Sequence, residues 1–311
     1  MTTCAIVVLN WNGIEHLRPL LPSLHAAVAA YGSPVPIVVV DNRSTQDDVA
    51  WVRSEHPSVE IVVADRNDYL FSLNPVVVGR TEDVVIILNN DMRVDAGFIA
   101  PLLAHFSDPA VFGASARVLD WDGTKDTTGQ RRMVVKHCWY YQWWDMTATA
   151  PVHTLDAGGG CAAVRRTQFA ALGGFDPLFR PAYFEDIDLS YRAWMRGWRT
   201  VFEPRSIIYH RVGATLWDKA RDAQHRANLA RNQALFTMKN VGGWGFLAGY
   251  LALAPVRMVR SMVSGDPHTA RGLARAIPRA ARAIGARIGR PKPVMSWKEI
   301  SLKVHEKGLP T

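Results

Sequence analysis

Several signatures of familiar protein classes are missing from this chain of 311 residues. Its three cysteines, Cys4, Cys138 and Cys161, form no Cys-x-x-Cys pair, which argues against a disulfide framework and a zinc knuckle. We therefore expect a reducing cytoplasm. No apolar run reaches the ~18–20 residues needed to cross a bilayer, and the N-terminus has the pattern of a strand and not of a signal peptide.

The glycine-rich loops that cradle phosphates are absent as well. No Gly-x-Gly-x-x-Gly follows the first apolar run, and no Gly-x-x-x-x-Gly-Lys-Ser/Thr motif is present. This disfavours a dinucleotide-binding Rossmann domain and a P-loop protein. A metal ion is then the natural counter-charge for a diphosphate, and an acidic strand end suits Mg²⁺ or Mn²⁺, which prefer oxygen ligands.

Four short apolar runs, at residues 5–9, 36–40, 59–64 and 84–88, predict strands. Leucines at helical spacing between the first two runs predict a helix, so we expect an α/β fold with a mostly parallel sheet flanked by helices. Polar residues follow each run: Asn10, Trp11 and Asn12, then Asp41 and Asn42, then Arg66 and Asn67, then Asn89, Asn90 and Asp91. They could simply end the strands, but four such clusters at one edge favour a polar ligand site.

Residues 120–151 interrupt this alternation. Six aromatic side chains, including Trp139 and Trp144, lie there beside Arg131, Arg132 and Lys136. The pattern predicts either a β-hairpin packed over the core or an aromatic surface for sugar rings or lipid headgroups.

The stretch that carries most chemistry is GGFDPLFRPAYFEDIDLSYR, residues 173–192. Glu185, Asp186 and Asp188 precede a helical run, where the helix dipole alone favours acids. The aromatic pair Tyr183 and Phe184 could desolvate them, and a carboxylate there could accept a proton from an attacking hydroxyl.

Two further positions are candidates. Gly159 lies within three consecutive glycines, which let a backbone approach a ligand closely. His210 ends an apolar strand, as the acidic clusters do. A lone histidine is more often structural than a ligand, so its position is what makes it a candidate.

The basic residues are concentrated at the end of the chain. Residues 241–311 hold 12 Lys and Arg against 3 Asp and Glu, whereas residues 1–240 hold 24 and 25. Arginines at 271, 275, 279 and 282 recur at helical spacing opposite aliphatic residues, with Pro278 expected to kink the helix. We expect a body over 1–240 and a basic tail over 241–311 that lies on an anionic membrane surface.

Two alternatives bear on this tail. Its helix could pack on the body and leave the arginines in solvent. Nucleic acid is not expected as a partner, because no nucleic-acid-binding motif accompanies the tail. The apolar segment 244–256 is interrupted by Pro255 and is followed by Arg257, which favours a position at a membrane surface and not a span.

With these residues in view, the chain resembles the family 2 glycosyltransferases of the GT-A fold, and within them the bacterial rhamnosyltransferase-like branch. The resemblance covers about residues 3–240. Six motifs in the expected order carry it: VVLNWNG at 7–13, VVVDNRST at 38–45, LNND at 88–91, GGFD at 173–176, FEDIDLSYR at 184–192 and YHRVGAT at 209–215.

The resemblance implies a fold and a set of roles. The fold is GT-A, with a Rossmann-like nucleotide-binding half, followed here by a helical basic extension. The catalytic base would be Asp186, supported by Glu185 and Asp188. The metal or diphosphate ligands would be Asp91 and His210. The donor nucleotide would be bound by Asn10, Asn12, Asp41, Arg66, Asn67, Asn90 and Gly159.

Some features depart from the family pattern or have no assigned role. The metal motif, usually two acids flanking one residue, has Asn89 in its first position. The segment after the third strand keeps Asn67 and Asn74 but lacks the family's glycines, which predicts a reshaped loop near the donor. Arg231 and Asn232 resemble a late motif of this branch, with no clear role.

The implied activity is inverting transfer of a sugar from dTDP-rhamnose or a UDP-sugar to a hydroxyl of a cell-surface glycan or polyprenyl-linked acceptor. The implied location is cytoplasmic, peripheral on the inner face of the cell membrane. Two other hypotheses remain at this point: a degenerate transferase that serves as a membrane-associated scaffold, and a sugar-nucleotide nucleotidyltransferase, which ranks lower because the N-terminal phosphate loop is missing.

Overall fold

The computed structural model describes residues 2–211 and 219–309. Its strands, in chain order, are β1 Cys4–Asn10, β2 Ile37–Asp41, β3 Glu60–Val63, β4 Val84–Asn89, β5 Met92–Val94, β6 Val111–Asp120, β7 Asp126–Thr128, β8 Gln130–Lys136, β9 Trp139–Asp145, β10 Val152–His153, β11 Cys161–Arg165 and β12 Arg199–His210.

The helices alternate with the strands in the first part of the chain and follow one another in the last. They are α1 Ile14–Tyr31, α2 Asp48–Glu55, α3 Leu73–Gly79, α4 Ile99–Ala104, α5 Arg166–Leu172, α6 Glu185–Met195, α7 Lys219–Asn240, α8 Trp244–Val263, α9 His268–Gly285 and α10 Trp297–Lys303. Three short 3₁₀ turns lie at Tyr69–Ser72, His105–Ser107 and Pro177–Phe179.

One large sheet runs through the molecule in the order β10-β12-β6-β11-β4-β1-β2-β3, with β5 added to β12 and β7 to β6. The half formed by β4, β1, β2 and β3 is parallel throughout. Strand β11 is antiparallel to both of its neighbours, so the other half is mixed. The predicted α/β fold is therefore confirmed, and the purely parallel arrangement is a property of its first half.

The runs in β1, β2 and β4 form strands that are covered on both faces of the sheet, whereas β3 lies at the edge and is partly exposed. Val7, Val85 and Ile87 belong to the core on one face, and Ile6 and Ile86 to the core on the other. Successive strand residues point to opposite faces, so a strand buried on both sides must be apolar at every position. All four predicted strands are present, and the helix predicted between the first two is α1.

The aromatic segment forms a two-stranded hairpin. Strands β8 and β9 pair antiparallel, from Gln130 opposite Asp145 to Lys136 opposite Trp139. The hairpin alternative is thus confirmed. Tyr140 on this hairpin is fully buried in the core, which accounts for part of the aromatic content.

The tail helices extend the core of the body. Leu247 and Tyr250 of α8, Leu273 of α9 and Ile300 of α10 belong to the same buried cluster as residues of the sheet and α6. The division at residue 240 stays a prediction, but the two regions share one apolar interior.

Helix α9 packs differently from the pattern that its arginines predicted. Leu273 and Ala276 are buried, whereas Ile277 is 68% exposed and Ile288, just beyond the helix, 73%. Gly272 lies directly against Ala230 of α7, and the helix runs unbroken through Pro278. The alternative of a helix packed on the body therefore describes α9, because small residues allow close approach to α7.

Helix α8 corrects the expectation that no segment is long enough to cross a bilayer. The helix continues through Pro255 and Arg257 to a length of 20 residues, and by length and composition it could span a membrane. Only 17% of its apolar window is buried. Val256, Val259 and Met262 are more than half exposed, so one side of α8 presents apolar side chains to the surroundings.

Candidate active site

The carboxyl ends of the parallel strands form the polar edge of the sheet that the sequence predicted, and we call this edge the rim. A cavity of about 690 Å³ opens where the rim meets the start of α6. Its walls come from the ends of β1 and β4, the loop 67–72, the glycines before β11 and the loop 179–184. Its lining residues include Trp11, Asn42, Asn67, Tyr69, Leu70, Asn89, Asn90, Asp91, Gly159, Gly160, Ala182, Tyr183, Glu185 and Asp186. The cavity therefore brings six of the predicted site residues to one place: Asn67, Asn90, Asp91, Gly159, Glu185 and Asp186.

The floor of the rim is a buried hydrogen-bond network. Asn10 and Asp41, paired in register at the ends of β1 and β2, are almost completely buried. The Asn10 amide donates to Asp48 Oδ1 at 2.8 Å and accepts from Asn90 Nδ2 at 2.7 Å. Ser44 Oγ donates to Asp41 Oδ1 at 2.5 Å. These predicted donor residues thus lie beneath the cavity lining and fix the rim from below.

Asp48 was not predicted as a site residue. It is 1% exposed and also accepts from the backbone N–H of Gly13 at 2.6 Å. Its Oδ2 has no partner among the described atoms. Asp48 begins α2, and only the folded chain brings it close to the end of β1.

Asn42 organises the loop 67–72, which carries Tyr69 and Leu70 into the cavity. Its amide nitrogen donates to Asn67 Oδ1 at 3.0 Å and to the Tyr69 carbonyl at 3.1 Å. Its oxygen accepts from Ser72 Oγ at 2.6 Å and from the Asp68 N–H at 3.2 Å. The loop without glycines is therefore held in a defined shape.

The remaining predicted donor residues are distributed around the rim. Arg66 is exposed and approaches Asp68 at 3.4 Å. Its side chain lines a neighbouring cavity along β3, whereas Asn67 lines the cavity beside Asp186. Asn12 accepts from the Thr45 N–H at 2.7 Å, which makes it part of the rim's scaffold.

The acids at the start of α6 enter the cavity because of an unusual turn. Tyr183 and Phe184 both have positive φ, 72° and 76°. Side chains other than glycine seldom adopt this conformation, and such residues cluster at functional sites. Asp186 is then held by two backbone donors: Ile187 N–H to Oδ1 at 2.8 Å and Gly159 N–H to Oδ2 at 3.2 Å.

Glu185 lies beside Asp186 in a less polar setting. It is 7% exposed, and its Oε2 has no partner among the described atoms. Burial, followed by the neighbouring charge of Asp186, raises the pKa of Glu185 to about 8. Two adjacent carboxyl groups thus differ in environment, which is a common arrangement at sites of proton transfer.

Asp188 faces away from the cavity. It is fully buried and pairs with Arg192 Nε and Lys239 Nζ, each at 2.7 Å. Burial alone would raise its pKa, but these cations lower the pKa of Asp188 below its ordinary value. Asp188 therefore links α6 to α7 and does not lie where a substrate would bind.

The glycines before β11 form the opposite wall. A Cβ on Gly159 would lie 2.6 Å from Leu70 Cδ2, and one on Gly160 would overlap the Asn89 side chain. Only glycine allows the backbone to approach Asp186 and the rim this closely.

Asp91 and His210 meet at the far end of the rim. His210 Nε2 lies 3.1 Å from Asp91 Oδ2, because β12 pairs with β5 immediately after Asp91. The buried Asp91 Oδ1 has no partner within the described chain. No cluster of three or more His, Cys, Asp or Glu side chains suited to a metal occurs in residues 2–211 and 219–309. An unpartnered carboxylate oxygen beside an imidazole fits a divalent cation that shares its remaining ligands with a diphosphate.

The late Arg231 and Asn232 have a clear structural place. The buried Asn232 amide nitrogen lies 2.7–2.8 Å from the carbonyl oxygens of Phe179, Ala182 and Tyr183. Arg231 Nη2 donates to the Arg180 carbonyl at 2.7 Å. These two residues of α7 therefore hold the loop 179–184 that brings Ala182 and Tyr183 into the cavity wall.

One predicted motif is only partly visible. Tyr209 and His210 of the motif at 209–215 are described, and residues 212–215 lie outside the described residues. The two asparagines that match the family pattern, Asn67 and Asn74, have different places: Asn67 lines the cavity, whereas Asn74 bonds to the backbone of Phe175 and holds the GGFD segment.

Known proteins resemble this chain in sequence and in fold. Over 293 residues the chain is 27% identical to the N-acetylglucosaminyl-diphospho-decaprenol L-rhamnosyltransferase of Mycobacterium tuberculosis, covering 82% of this chain and 92% of that protein.

Two solved structures share the fold. One is the mannosyltransferase PcManGT from Pyrobaculum calidifontis in complex with GDP-Man and Mn²⁺, with a TM-score of 0.54, 19% identity and coverage of 97% of this chain and 84% of that one. The other is S. aureus TarS 1-349, with a TM-score of 0.55, 14% identity and coverage of 92% and 82%.

The family model described as "Glycosyltransferase like family 2" matches residues 3–228, which include every strand and the whole cavity described above. The resemblance stated from the motifs is thereby confirmed, as is the GT-A fold. The chain belongs to the family 2 glycosyltransferases.

Proposed function

We propose that this glycosyltransferase moves a sugar, with inversion, from a nucleotide-sugar to a hydroxyl group of a polyprenyl-linked or cell-surface glycan acceptor. The observation that carries the proposal is the single cavity that holds Asp186 at one wall and Asp91 at another. The named rhamnosyltransferase relative supports a dTDP-rhamnose-type donor and a lipid-linked acceptor, with a UDP-sugar as the other donor class.

The chemistry follows from the placement of Asp186. Its carboxylate accepts the proton of the acceptor hydroxyl. That oxygen forms a bond to the anomeric carbon from the side opposite the nucleotide, and the bond from the anomeric carbon to the phosphate oxygen breaks. The nucleoside diphosphate leaves with the electron pair, so no covalent intermediate on the protein is required. The backbone N–H groups of Ile187 and Gly159 hold the base in place.

Glu185 has a supporting role. Because its pKa is raised to about 8, it carries a proton near neutral pH. A neutral carboxyl beside Asp186 adds no second negative charge to the site, and it can donate a hydrogen bond to a substrate oxygen.

Asp91 and His210 would hold the divalent cation, Mg²⁺ or Mn²⁺. When bound there, the ion would supply positive charge to the departing diphosphate. The donor side of the cavity is completed by the amide of Asn67 and by the exposed ring of Trp11, which offers a flat face for a nucleobase.

The tail is proposed to bring the enzyme to the inner face of the cell membrane. The exposed apolar side of α8, with Val256, Val259 and Met262, and the excess of basic residues in 241–311 suit an anionic bilayer surface. In this proposal α8 supplies the apolar part of the contact, because Leu273 of α9 is buried inside the protein.

The first test is the Asp186→Asn variant, which keeps the shape of the side chain and removes the base. We expect transfer to fall by roughly 10³-fold, measured as product formed from radiolabelled nucleotide-sugar, with nucleotide binding retained. Asp122→Asn, on an exposed loop, serves as the control and should be fully active. Turnover retained in Asp186→Asn would reject the assignment of the base.

A second measurement identifies the donor class and tests the metal. UDP, dTDP and GDP are titrated into the protein by calorimetry with and without Mn²⁺. We expect metal-dependent binding of one of them, lost in Asp91→Ala. If none of the three binds, either the loop 68–75 has disabled the site or another donor class is used, and the scaffold hypothesis then ranks first.

A further inference from the structure

Two arginines from two helices contact the outer side of the loop 179–184, and a third lies one helical turn away. Arg231 of α7 and Arg279 of α9 both donate to the carbonyl oxygen of Arg180, at 2.7 and 2.8 Å. Arg275 lies one helical turn before Arg279 on the same face of α9. The close packing of Gly272 against Ala230 brings these two helices together.

This cluster has no internal counter-charge. Arg231, Arg275 and Arg279 form no ion pair with any carboxylate in the part of the chain that the structure describes, although other arginines there do. Burial, followed by the positive charges of Arg279 and Arg275, lowers the pKa of Arg231 to about 10. Like charges held this close are unfavourable by themselves, so the arrangement favours an anion.

Several guanidinium donors remain available. With the described residues, Arg279 forms hydrogen bonds only through Nη1, to the carbonyls of Leu178 and Arg180. Arg275 is exposed and makes no hydrogen bond with the described residues. A guanidinium presents a rigid fork that matches phosphate oxygens, so the cluster has the chemistry of a phosphate site.

The position relative to the cavity is close. Arg180 precedes Ala182, which lines the cavity, by two residues, and two residues span at most about 7 Å. Tyr183, the next lining residue, packs against His225 of α7 at a ring distance of 4.5 Å. An acceptor sugar beside Asp186 could carry a charged group on the side that faces away from Asp91. That group would then point towards α7 and α9.

We propose that Arg231, Arg275 and Arg279 form a binding site for the diphosphate group of an alkyl-diphosphate-linked acceptor sugar. This inference rests on the proposed function. The site is separate from the donor diphosphate, which is assigned to Asp91 and His210 at the other end of the cavity. It makes the tail helix α9 part of acceptor recognition.

The direct test is binding and needs no turnover. Isopentyl diphosphate is titrated into the full chain by calorimetry in EDTA, so that the Asp91 site does not contribute. We expect Arg275→Ala to weaken binding about tenfold, the loss of hydrogen bonds to a charged group, and Arg275→Lys to recover part of it. Arg53→Ala, an exposed arginine of α2, should behave as the parent protein.

The kinetic test separates this site from the proposed function. The acceptors are an alkyl N-acetylglucosaminyl diphosphate and the matching neutral alkyl N-acetylglucosaminide. Arg275→Ala should raise KM for the diphosphate acceptor only, with KM for the neutral acceptor and binding of UDP unchanged. If no donor supports transfer while isopentyl diphosphate still binds through Arg275, the function fails and the site stands. If transfer proceeds and Arg275→Ala leaves both KM values unchanged, the site fails and the function stands.

A third arm distinguishes a lipid headgroup as the source of phosphate. Parent protein and Arg275→Ala are sedimented with phosphatidylglycerol vesicles. Equal vesicle binding with reduced isopentyl diphosphate binding supports the acceptor site. Loss of vesicle binding with unchanged isopentyl diphosphate binding would overturn it in favour of a headgroup contact.

Discussion

Two buried asparagines hold the two walls of the active site, and they do so in different ways. Asn42, 2% exposed, fixes the loop 67–72 through partners at most 30 residues away. Asn232, fully buried, fixes the loop 179–184 through carbonyls 49 to 53 residues away. The donor-side wall is therefore built within the first sheet half, whereas the opposite wall depends on helices that follow the catalytic motif.

The largest effect on transfer is expected when the wall formed by the loop 179–184 loses Asn232. Asn232→Ala leaves three carbonyls without their shared donor, which should cost about 2 kcal/mol of unfolding free energy. It should also lower transfer about 100-fold, because Tyr183 and Asp186 shift relative to the substrate. Denaturant unfolding and product assays measure both. Gln224→Ala, at an exposed position of α7, is the control, and a similar loss of transfer there would deny Asn232 a specific role.

Asn42→Ala should disrupt the donor-side wall, which the loop 67–72 forms, and leave the wall formed by the loop 179–184 intact. The loop 67–72 loses its contacts through Ser72, Asn67 and the Tyr69 carbonyl, so we expect the nucleotide Kd to rise about tenfold, or about 1.4 kcal/mol. KM for the acceptor should stay within about twofold of the parent value. An increase in acceptor KM as large as that in nucleotide Kd would show that the two walls are not independent.

The acids between the walls give a pH test. Glu185 has a folded-state pKa raised to about 8, so between its ordinary value of 4.5 and that pH the folded state holds more protons than the unfolded state. Stability must then fall as pH rises through this window. In Glu185→Gln the fall in Tm should be smaller than in the parent. The same slope in both proteins would mean that Glu185 is ionised in the fold.

The smallest effect concerns an ion pair between the two loops. Arg180 donates from Nε to Asp68 Oδ1 at 2.7 Å, and the pair is partly exposed. A double-mutant cycle with Asp68→Ala and Arg180→Ala should give a coupling of about 1 kcal/mol or less. A coupling well above that would make this ion pair, and not the two asparagines, the main organiser of the walls.

The sequence predicted the donor-side wall better than the wall formed by the loop 179–184. The strand ends with Asn10, Asp41 and Asp91 could be recognised because parallel strands end at a common edge. The place of Asp48 under the rim was not predicted, since its partners Asn10 and Gly13 are more than 30 residues away. Asn232 was recognised only as part of a motif, because nothing in its neighbourhood shows which carbonyls it meets.

The basic tail is a stronger case in which the sequence does not identify tertiary contacts. The arginine spacing predicted a helix over α9, and the helix is present. Which side faces the protein was decided by Gly272, which fits against Ala230, and by Arg279, which reaches the Arg180 carbonyl. A charge pattern indicates where a helix can meet water, but it does not identify the arginines that are used inside the fold.

The sequence by itself determined the α/β alternation, the family, and the acids at the start of α6, because these depend on local periodicity and on motifs in a fixed order. Tertiary structure alone decided that Asp186 faces the cavity while Asp188 is buried against Lys239, although the two are separated by one residue. The physical reason is that successive helix positions point about 100° apart. Which direction meets solvent depends on α7, a helix that lies some 50 residues later in the chain.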